Sequence, residues 1–268
     1  DGIRDLASSL VGSEMCIRDR SLPVRFWRVL TPTLAGAQVL LLPGFGYAAY
    51  LLIRRREWPA LLPLAWWLAI LSVYALRLPV NYQHGRYVIP TIPWVVIYGT
   101  WGTASALRPR SPHLIVRVLS RGTPVAIALL AVLFWGRGAV AYSDDVGFIE
   151  GEMMAMARWL GENTPPGTII AVHDIGAVGY LTDRPLLDLA GLITPEVIPI
   201  MTDAEKLADW MIERGAEYAI FFPDFSPTYE QLDADTRLEQ IHCTGFAWTQ
   251  AAGLENMCAY RLTGGTQP

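Results

Sequence analysis

The chain has 268 residues, of which 52% are hydrophobic and only 17% are Asp, Glu, Lys or Arg, well below the roughly 25% charge of ordinary soluble domains, which points to a lipid-facing portion. The formal net charge of -4 averages two unlike halves: residues 21–142 hold 12 Arg and one acid, Glu57, whereas residues 143–268 hold 6 Lys or Arg against 20 Asp or Glu. The arginines punctuate apolar runs instead of lining one polar face, which argues for membrane insertion beside a solvated domain and against nucleic-acid binding.

Residues 1–20 fit neither the lipid pattern behind them nor a secretory signal, which needs an apolar central stretch. Met15-Cys16-Ile17-Arg18-Asp19 back-translates to a run resembling the end of transposase-based sequencing adaptors, and Asp1-Gly2-Ile3-Arg4-Asp5 repeats the Ile-Arg-Asp theme. The segment is therefore expected to be non-native, with a polar loop as the alternative, and the native chain is expected to begin upstream.

Four apolar stretches follow, at residues 32–53, 59–80, 87–107 and 123–142, each near the ~20 residues that a bilayer core requires. Pro43, Pro63, Pro90 and Pro93 would disrupt soluble helices, but spans tolerate proline where neighbouring helices or water satisfy the freed carbonyls. Arg54-Arg55-Arg56 after the first stretch, and Arg108, Arg110, Arg117 and Arg121 between the third and fourth, mark cytoplasmic loops. The loop from Arg77 to Arg86 and everything beyond Tyr142 then face outside. Arg25, Arg28, Arg77, Arg86 and Arg137 stand against that rule.

After Ser143-Asp144-Asp145 the periodicity changes. Residues 148–161 read as an amphipathic helix stopped by Asn163-Thr164-Pro165-Pro166-Gly167. Strands are predicted at 168–172, 185–189 and 218–222, and helices at 175–181 and 203–214. The tail offers further strands at 238–243, 246–248 and 257–262, pairing as a hairpin. The expected fold class is a membrane all-α block of about four transmembrane helices, residues 21–142, followed by a soluble α/β domain, residues 143–268, on the extracytoplasmic side of the inner (plasma) membrane.

Cys243 and Cys258 fall on two predicted strands of an exported domain, where they form either a disulfide or two buried thiols. No CxxC or HxxxH spacing occurs and His84, His113, His173 and His242 are scattered, so neither a metal site nor a cofactor is expected. His173-Asp174-Ile175-Gly176-Ala177-Val178-Gly179-Tyr180 lies where a dinucleotide-binding loop would lie, yet its Gly-x-x-Gly lacks the full G-x-G-x-x-G pattern. The simpler expectation is that Asp174 caps a helix while Gly176 and Gly179 allow close packing. Asp188 and Asp183-Arg184 read as polar strand ends. No Ser-His-Asp order, P-loop or Walker pattern appears.

The most specific segment is Asn81-Tyr82-Gln83-His84-Gly85-Arg86-Tyr87-Val88-Ile89-Pro90, with Pro93 behind it, at the outer mouth of the third stretch. Together with residues 174–196 (DIGAVGYLTDRPLLDLAGLITPE) it resembles the C-terminal part of bacterial type-C (GT-C) glycosyltransferases, relatives of the protein mannosyltransferases and aminoarabinose transferases. The resemblance would cover nearly all of residues 21–262 through loose motifs. It implies a polytopic enzyme that takes a sugar from a polyprenyl-phosphate-linked donor in the membrane lipid and hands it to an extracytoplasmic acceptor. Its catalytic acidic residue sits in an early outer loop that this chain does not match, so no catalytic residue is assigned. Arg86, helped by His84 and Tyr87 and by Arg77, is the expected donor-phosphate site, since guanidinium carries a permanent charge and a planar fork of donors. The plainer alternative for Arg86 is an anchor that snorkels to lipid headgroups. For the whole chain the rival is a non-enzymatic membrane protein whose exported α/β domain senses a ligand.

Overall fold

A computed structural model of the chain describes residues 21–77, 83–107 and 112–263, with the side chains of residues 83 and 84 outside the description. The segment 1–20 with its adaptor reading, Asn81, Tyr82, Arg108 and Arg110 lie outside the described residues. The chain divides into two units, and the boundary between Val140 and Ala141 falls inside one helix, Leu114–Phe148.

The first unit is helical. It contains α1 (Leu22–Leu30), α2 (Leu42–Arg55), α3 (Leu62–Arg77), α4 (Ile92–Ala106) and most of α5 (Leu114–Phe148), with 3-10 segments at Thr31–Leu34, Gly36–Leu41, Trp58–Leu61 and Gln83–Thr91. Prolines sit in the first turn of α2, α4 and α1, where a missing N–H does no harm. Its core packs Val29, Phe45, Trp67, Leu71, Val88 and Val95. The Phe45 ring lies 4.9 Å from Trp67, and Tyr98 donates its hydroxyl to the Ala60 carbonyl at 2.7 Å.

Among the described residues, three helical runs are long and apolar enough to cross a bilayer by length and composition: Gly36–Arg55, Trp58–Arg77 and Leu114–Asn163. Four were expected, and the helix count differs. The third stretch yields the 15-residue α4, about 22 Å long at 1.5 Å per residue against a core of about 30 Å. Pro90 holds the residues before it in 3-10 form. The small residues Gly99, Gly102, Thr103 and Ser105 lower the apolarity of the rest. These residues serve packing instead: a Cβ at Gly102 would lie 1.8 Å from the Gly44 carbonyl oxygen, so α4 and α2 cross backbone to backbone. A further helix, α1, went unforeseen. By contrast α5 buries no residue along its length.

The periodicity change after Ser143-Asp144-Asp145 falls within a continuous helical run, in which α5 runs on to Phe148, widens into a π-helical turn at Ile149–Met154 and ends in α6 (Ala155–Asn163). The second unit then builds β1 (Ile170–Val172), α7 (Ile175–Leu181), β2 (Leu186–Asp188), α8 (Ala204–Glu213), β3 (Tyr218–Phe221), α9 (Pro227–Asp233), β4 (Leu238–Cys243), α10 (Ala247–Ala251) and β5 (Cys258–Leu262). The sheet order is β2-β1-β3-β5-β4, with β1 parallel to β2 and β3, and β5 antiparallel to β3 and β4. Alternation along the strands feeds two cores. Ala171, Ala219 and Phe221 meet Leu207, Met211 and Leu232 on one face, while Ile170, Val172 and Ile220 meet Met156, Leu160 and Val178 on the other. Side chains of this size each stabilise the fold by about 1.5–3 kcal/mol through burial.

The capping expectation for Asp174 holds, its side chain accepting from the Gly176 N–H at 3.2 Å, and Asp203 likewise accepts from the Lys206 N–H at 3.2 Å. Cys243 and Cys258 are bonded as a disulfide across β4 and β5. The strand expected at 246–248 is instead the start of α10, because the Phe246 ring closes on Gly151 of the π turn, where a Cβ would sit 2.5 Å from it.

Candidate functional site

The expected phosphate site lies around the C-terminal end of α3. Arg77 is its last residue and is exposed. Arg86 is exposed on the 3-10 segment Gln83–Thr91, donates from Nη2 to the Tyr87 hydroxyl at 2.8 Å, and places its guanidinium carbon 4.8 Å from the Tyr87 ring centre. The Tyr87 ring lies 5.8 Å from that of Tyr74 on α3. Gly85 has φ +70°, and a Cβ there would meet Pro32 at 2.6 Å, so glycine alone fits between Gln-His and Arg-Tyr. The backbone of His84 belongs to this segment, but its side chain lies outside the description.

Arg25 was placed on the outer side by sequence without a site role. Its Nη2 donates to the Leu76 carbonyl at 2.7 Å, in the last turn of α3, and its buried Nε has no partner among the described residues. Tyr74 likewise joins by packing. Their recruitment depends on α1 lying against α3, which no local pattern announces. The α-helix itself starts at Ile92, so the free N–H groups of its first turn begin six residues after Arg86 and do not add to the site.

Elsewhere in the same unit a cavity of about 980 Å³ is lined by Ala35, Leu41, Val96, Thr103, Ile127 and Phe134, among others. Its walls are apolar, so it suits a hydrocarbon chain rather than a charged group.

In the second unit, the C-terminal ends of the parallel strands carry His173, Asp174, Asp188 and the Phe222-Pro223-Asp224 turn. Connections leave β1 toward β2 on one side and return to β3 on the other, so this edge is the topological switch point where α/β sheets commonly hold ligands. The His173 ring lies 4.2 Å from Phe225 and 5.3 Å from Tyr229. Burial pushes its imidazole below the ordinary value, against the opposing pull of Asp174 and Asp188; burial also pushes the Tyr229 phenol up. A histidine kept neutral in the folded state while the unfolded chain takes up a proton makes folding less favourable as pH drops below the ordinary 6.5. Melting of the full chain between pH 7.5 and 5 should therefore show a loss of thermal midpoint that His173→Phe, which suits the aromatic surroundings, reduces. An identical pH slope in the variant would remove His173 as its source.

One residue passed over in the sequence is Glu152, fully buried in the π turn. Its carboxylate accepts from the Thr244 and Thr249 hydroxyls, from Asn256 Nδ2 at 2.7 Å and from the Met257 N–H at 3.0 Å. A π turn in a helix, centred on a polar group, was the one signal with functional weight, and it is invisible in the periodicity. Every listener to this carboxylate is a protein group, so its role is to hold the second unit together. Among the described residues no group of three or more His, Cys, Asp or Glu is gathered as metal ligands.

A family model described as a domain of unknown function (DUF8728) matches residues 135–260, under half of the chain, from within the second half of α5 to the third residue of β5. No curated protein matches the chain. No solved structure matches it either.

Proposed function

We propose that the chain forms part of a membrane glycosyltransferase that moves a sugar from a polyprenyl-phosphate donor to an extracytoplasmic acceptor, with Arg86 as the principal ligand of the donor phosphate. The observation that carries the reading is the gathering of Arg86, Tyr87 and Tyr74 at the end of α3, where Arg77 and the Arg25 contact also lie. Cationic forks beside tyrosine hydroxyls suit phosphate oxygens, and the apolar cavity of the same unit offers room for isoprenoid chain. The sugar-transfer chemistry itself rests on the resemblance of the Gln83-His84-Gly85-Arg86-Tyr87 segment, whose family keeps its catalytic carboxylate in a loop this chain does not match. The two fully buried carboxylates of the second unit, Asp188 and Glu152, are both engaged by backbone and side-chain donors.

The test is retention of radiolabelled decaprenyl phosphate by the purified full chain in detergent, with decaprenol as the control. Wild-type protein should hold the phosphate form in clear preference to the alcohol. Arg86→Ala should weaken it about 10- to 100-fold, the worth of a charged hydrogen bond of roughly 1.5–3 kcal/mol. Arg86→Lys should fall between, because it keeps the charge and loses the fork. Equal retention of phosphate and alcohol by wild type, or an unchanged Arg86→Ala protein, would refute the site.

A further inference from the structure

The loop after β2 is organised by one carboxylate. Asp188 is fully buried and accepts from the Ala190 N–H at 2.8 Å and the Ile193 N–H at 2.7 Å, while its own N–H donates to the Thr194 hydroxyl at 3.2 Å. Gly191 makes the turn at φ +76°, where a Cβ would collide with Ile198 at 2.6 Å. The Ala190, Gly191 and Ile193 N–H groups are thus all bonded back to Asp188, which holds the shape of the loop. What it presents outward is apolar: Leu192 is 76% exposed and Ile193 61%, with Ile198 also exposed behind them. Loop tips in water are ordinarily small or polar, so two large aliphatic side chains on a rigid support call for a partner.

The place of the loop identifies that partner. β2 runs parallel to β1 and β3, so residues 189–194 leave the C-terminal edge of the sheet. The end of α5 reaches the same edge: Phe148 stacks on Phe222, the residue after β3, at 5.6 Å. With strands about 4.8 Å apart, β2 stands roughly 10 Å from β3. Six residues back along the helix lies Tyr142, about 9 Å away at 1.5 Å per residue, and it is the last residue of the run that sequence alone marks as apolar. A helix emerging from a bilayer near Tyr142 would bring this edge to the level of the lipid headgroups.

We propose that Leu192 and Ile193 form a lipid-contacting prong that inserts into the interface of the leaflet from which α5 emerges. The inference rests on the membrane placement in the functional reading and not on glycosyl transfer. Two side chains of this size gain only modestly on leaving water for the interface. That is too little to recruit a free domain to a surface, but tethering by α5 makes the contact intramolecular, so the same energy suffices to fix the orientation of the domain. With the prong seated, the switch-point edge holding His173 and Asp188 faces the membrane surface, as suits a domain that meets a lipid-borne substrate.

The test uses the full chain with Cys16→Ser, unreduced, reconstituted into phosphatidylethanolamine–phosphatidylglycerol vesicles and labelled with the environment-sensitive fluorophore NBD at one of three positions. Label at Ile193→Cys should be blue-shifted and quenched about twofold or more by lipids bearing a nitroxide near the headgroup. Label at Glu213→Cys, at the far edge of the sheet, should behave as in water. Label at Leu129→Cys, on α5 and about 20 Å along the helix from Tyr142, reports the membrane placement itself through quenching by lipids bearing the nitroxide on the acyl chain. Quenching at 129 with a water-like signal at 193 overturns the prong alone. A blue-shifted but unquenched signal at 193 means that protein covers the loop, and this also overturns it. Absence of quenching at 129 overturns the membrane placement and the prong with it.

Discussion

Gly102→Leu is expected to prevent the helical unit from assembling. Where α2 and α4 cross, three glycines face backbone. A Cβ at Gly102 would lie 1.8 Å from the Gly44 carbonyl oxygen, one at Gly44 would lie 2.3 Å from the Gly99 carbonyl oxygen, and one at Gly99 would lie 2.6 Å from Leu41 Cβ. None of these contacts is relieved by rotating a side chain; the helices themselves must part. Ala48 and Val95, both fully buried in this region, would lose their close neighbours. With the unit in lipid, as proposed, no hydrophobic drive would restore the pair, because van der Waals contact is what holds helices together there. Separation should thus weaken the unit by about 3 kcal/mol or more. Denaturant titration of the purified chain in micelles, followed by tryptophan fluorescence, measures it. Gly102→Ala should already be damaging, whereas Gly122→Ala, with open space around its Cα, should not. A Gly102→Leu protein as resistant as wild type would show that the crossing is not as close as described.

The α/β unit was legible because its elements carry local punctuation. Asp174 and Asp203 announce α7 and α8 as caps, Asn163 to Gly167 stops α6, and short β-branched or aliphatic runs mark β1 and β3. Where the deciding partner is distant, reading failed. Residues 246–248 look strand-like by aromatic content, yet Phe246 is drawn to Gly151, nearly a hundred residues earlier, and the chain turns into α10. The helix α9 escaped notice because its sequence, Pro-Thr-Tyr-Glu-Gln-Leu-Asp, is short and polar, with Ser226 as its cap. In the helical unit, apolar length overstated the third stretch, since small residues used for packing against α2 read as part of a span. The candidate phosphate site divides the same way. Arg86 and Tyr87 stand together in sequence, while Arg25 and Tyr74 reach the site through packing of α1 and of Gln83–Thr91 on α3.

The π turn shows most clearly what periodicity cannot reveal, and it sets the second large effect: Glu152→Ala is expected to destabilise the α/β unit by about 4 kcal/mol. Truncation strips the acceptor from two hydroxyls, the Asn256 amide and the Met257 N–H at once. Each buried donor left unpaired costs about 1–3 kcal/mol, partly offset where a hydroxyl rotates or a water enters. The partners are Thr244 just after β4, Thr249 in α10 and Asn256-Met257 just before β5, so the carboxylate pins the ends of the hairpin and α10 to the helix. The Cys243–Cys258 bridge stands directly beside Thr244 and Met257, and it keeps the hairpin ends together even when the carboxylate is gone. Loss of Glu152 should therefore loosen the hairpin from the helix while leaving β4 joined to β5. Glu152→Gln supplies the graded control. It keeps one acceptor oxygen but turns an amide toward donors, and the Met257 N–H cannot rotate away as a hydroxyl can, so its loss should be about half as large. Thermal unfolding of the unreduced chain, followed by near-ultraviolet circular dichroism, should rank wild type above Glu152→Gln and Glu152→Ala lowest. A Glu152→Ala protein melting with wild type would mean that solvent, not this carboxylate, satisfies the four donors.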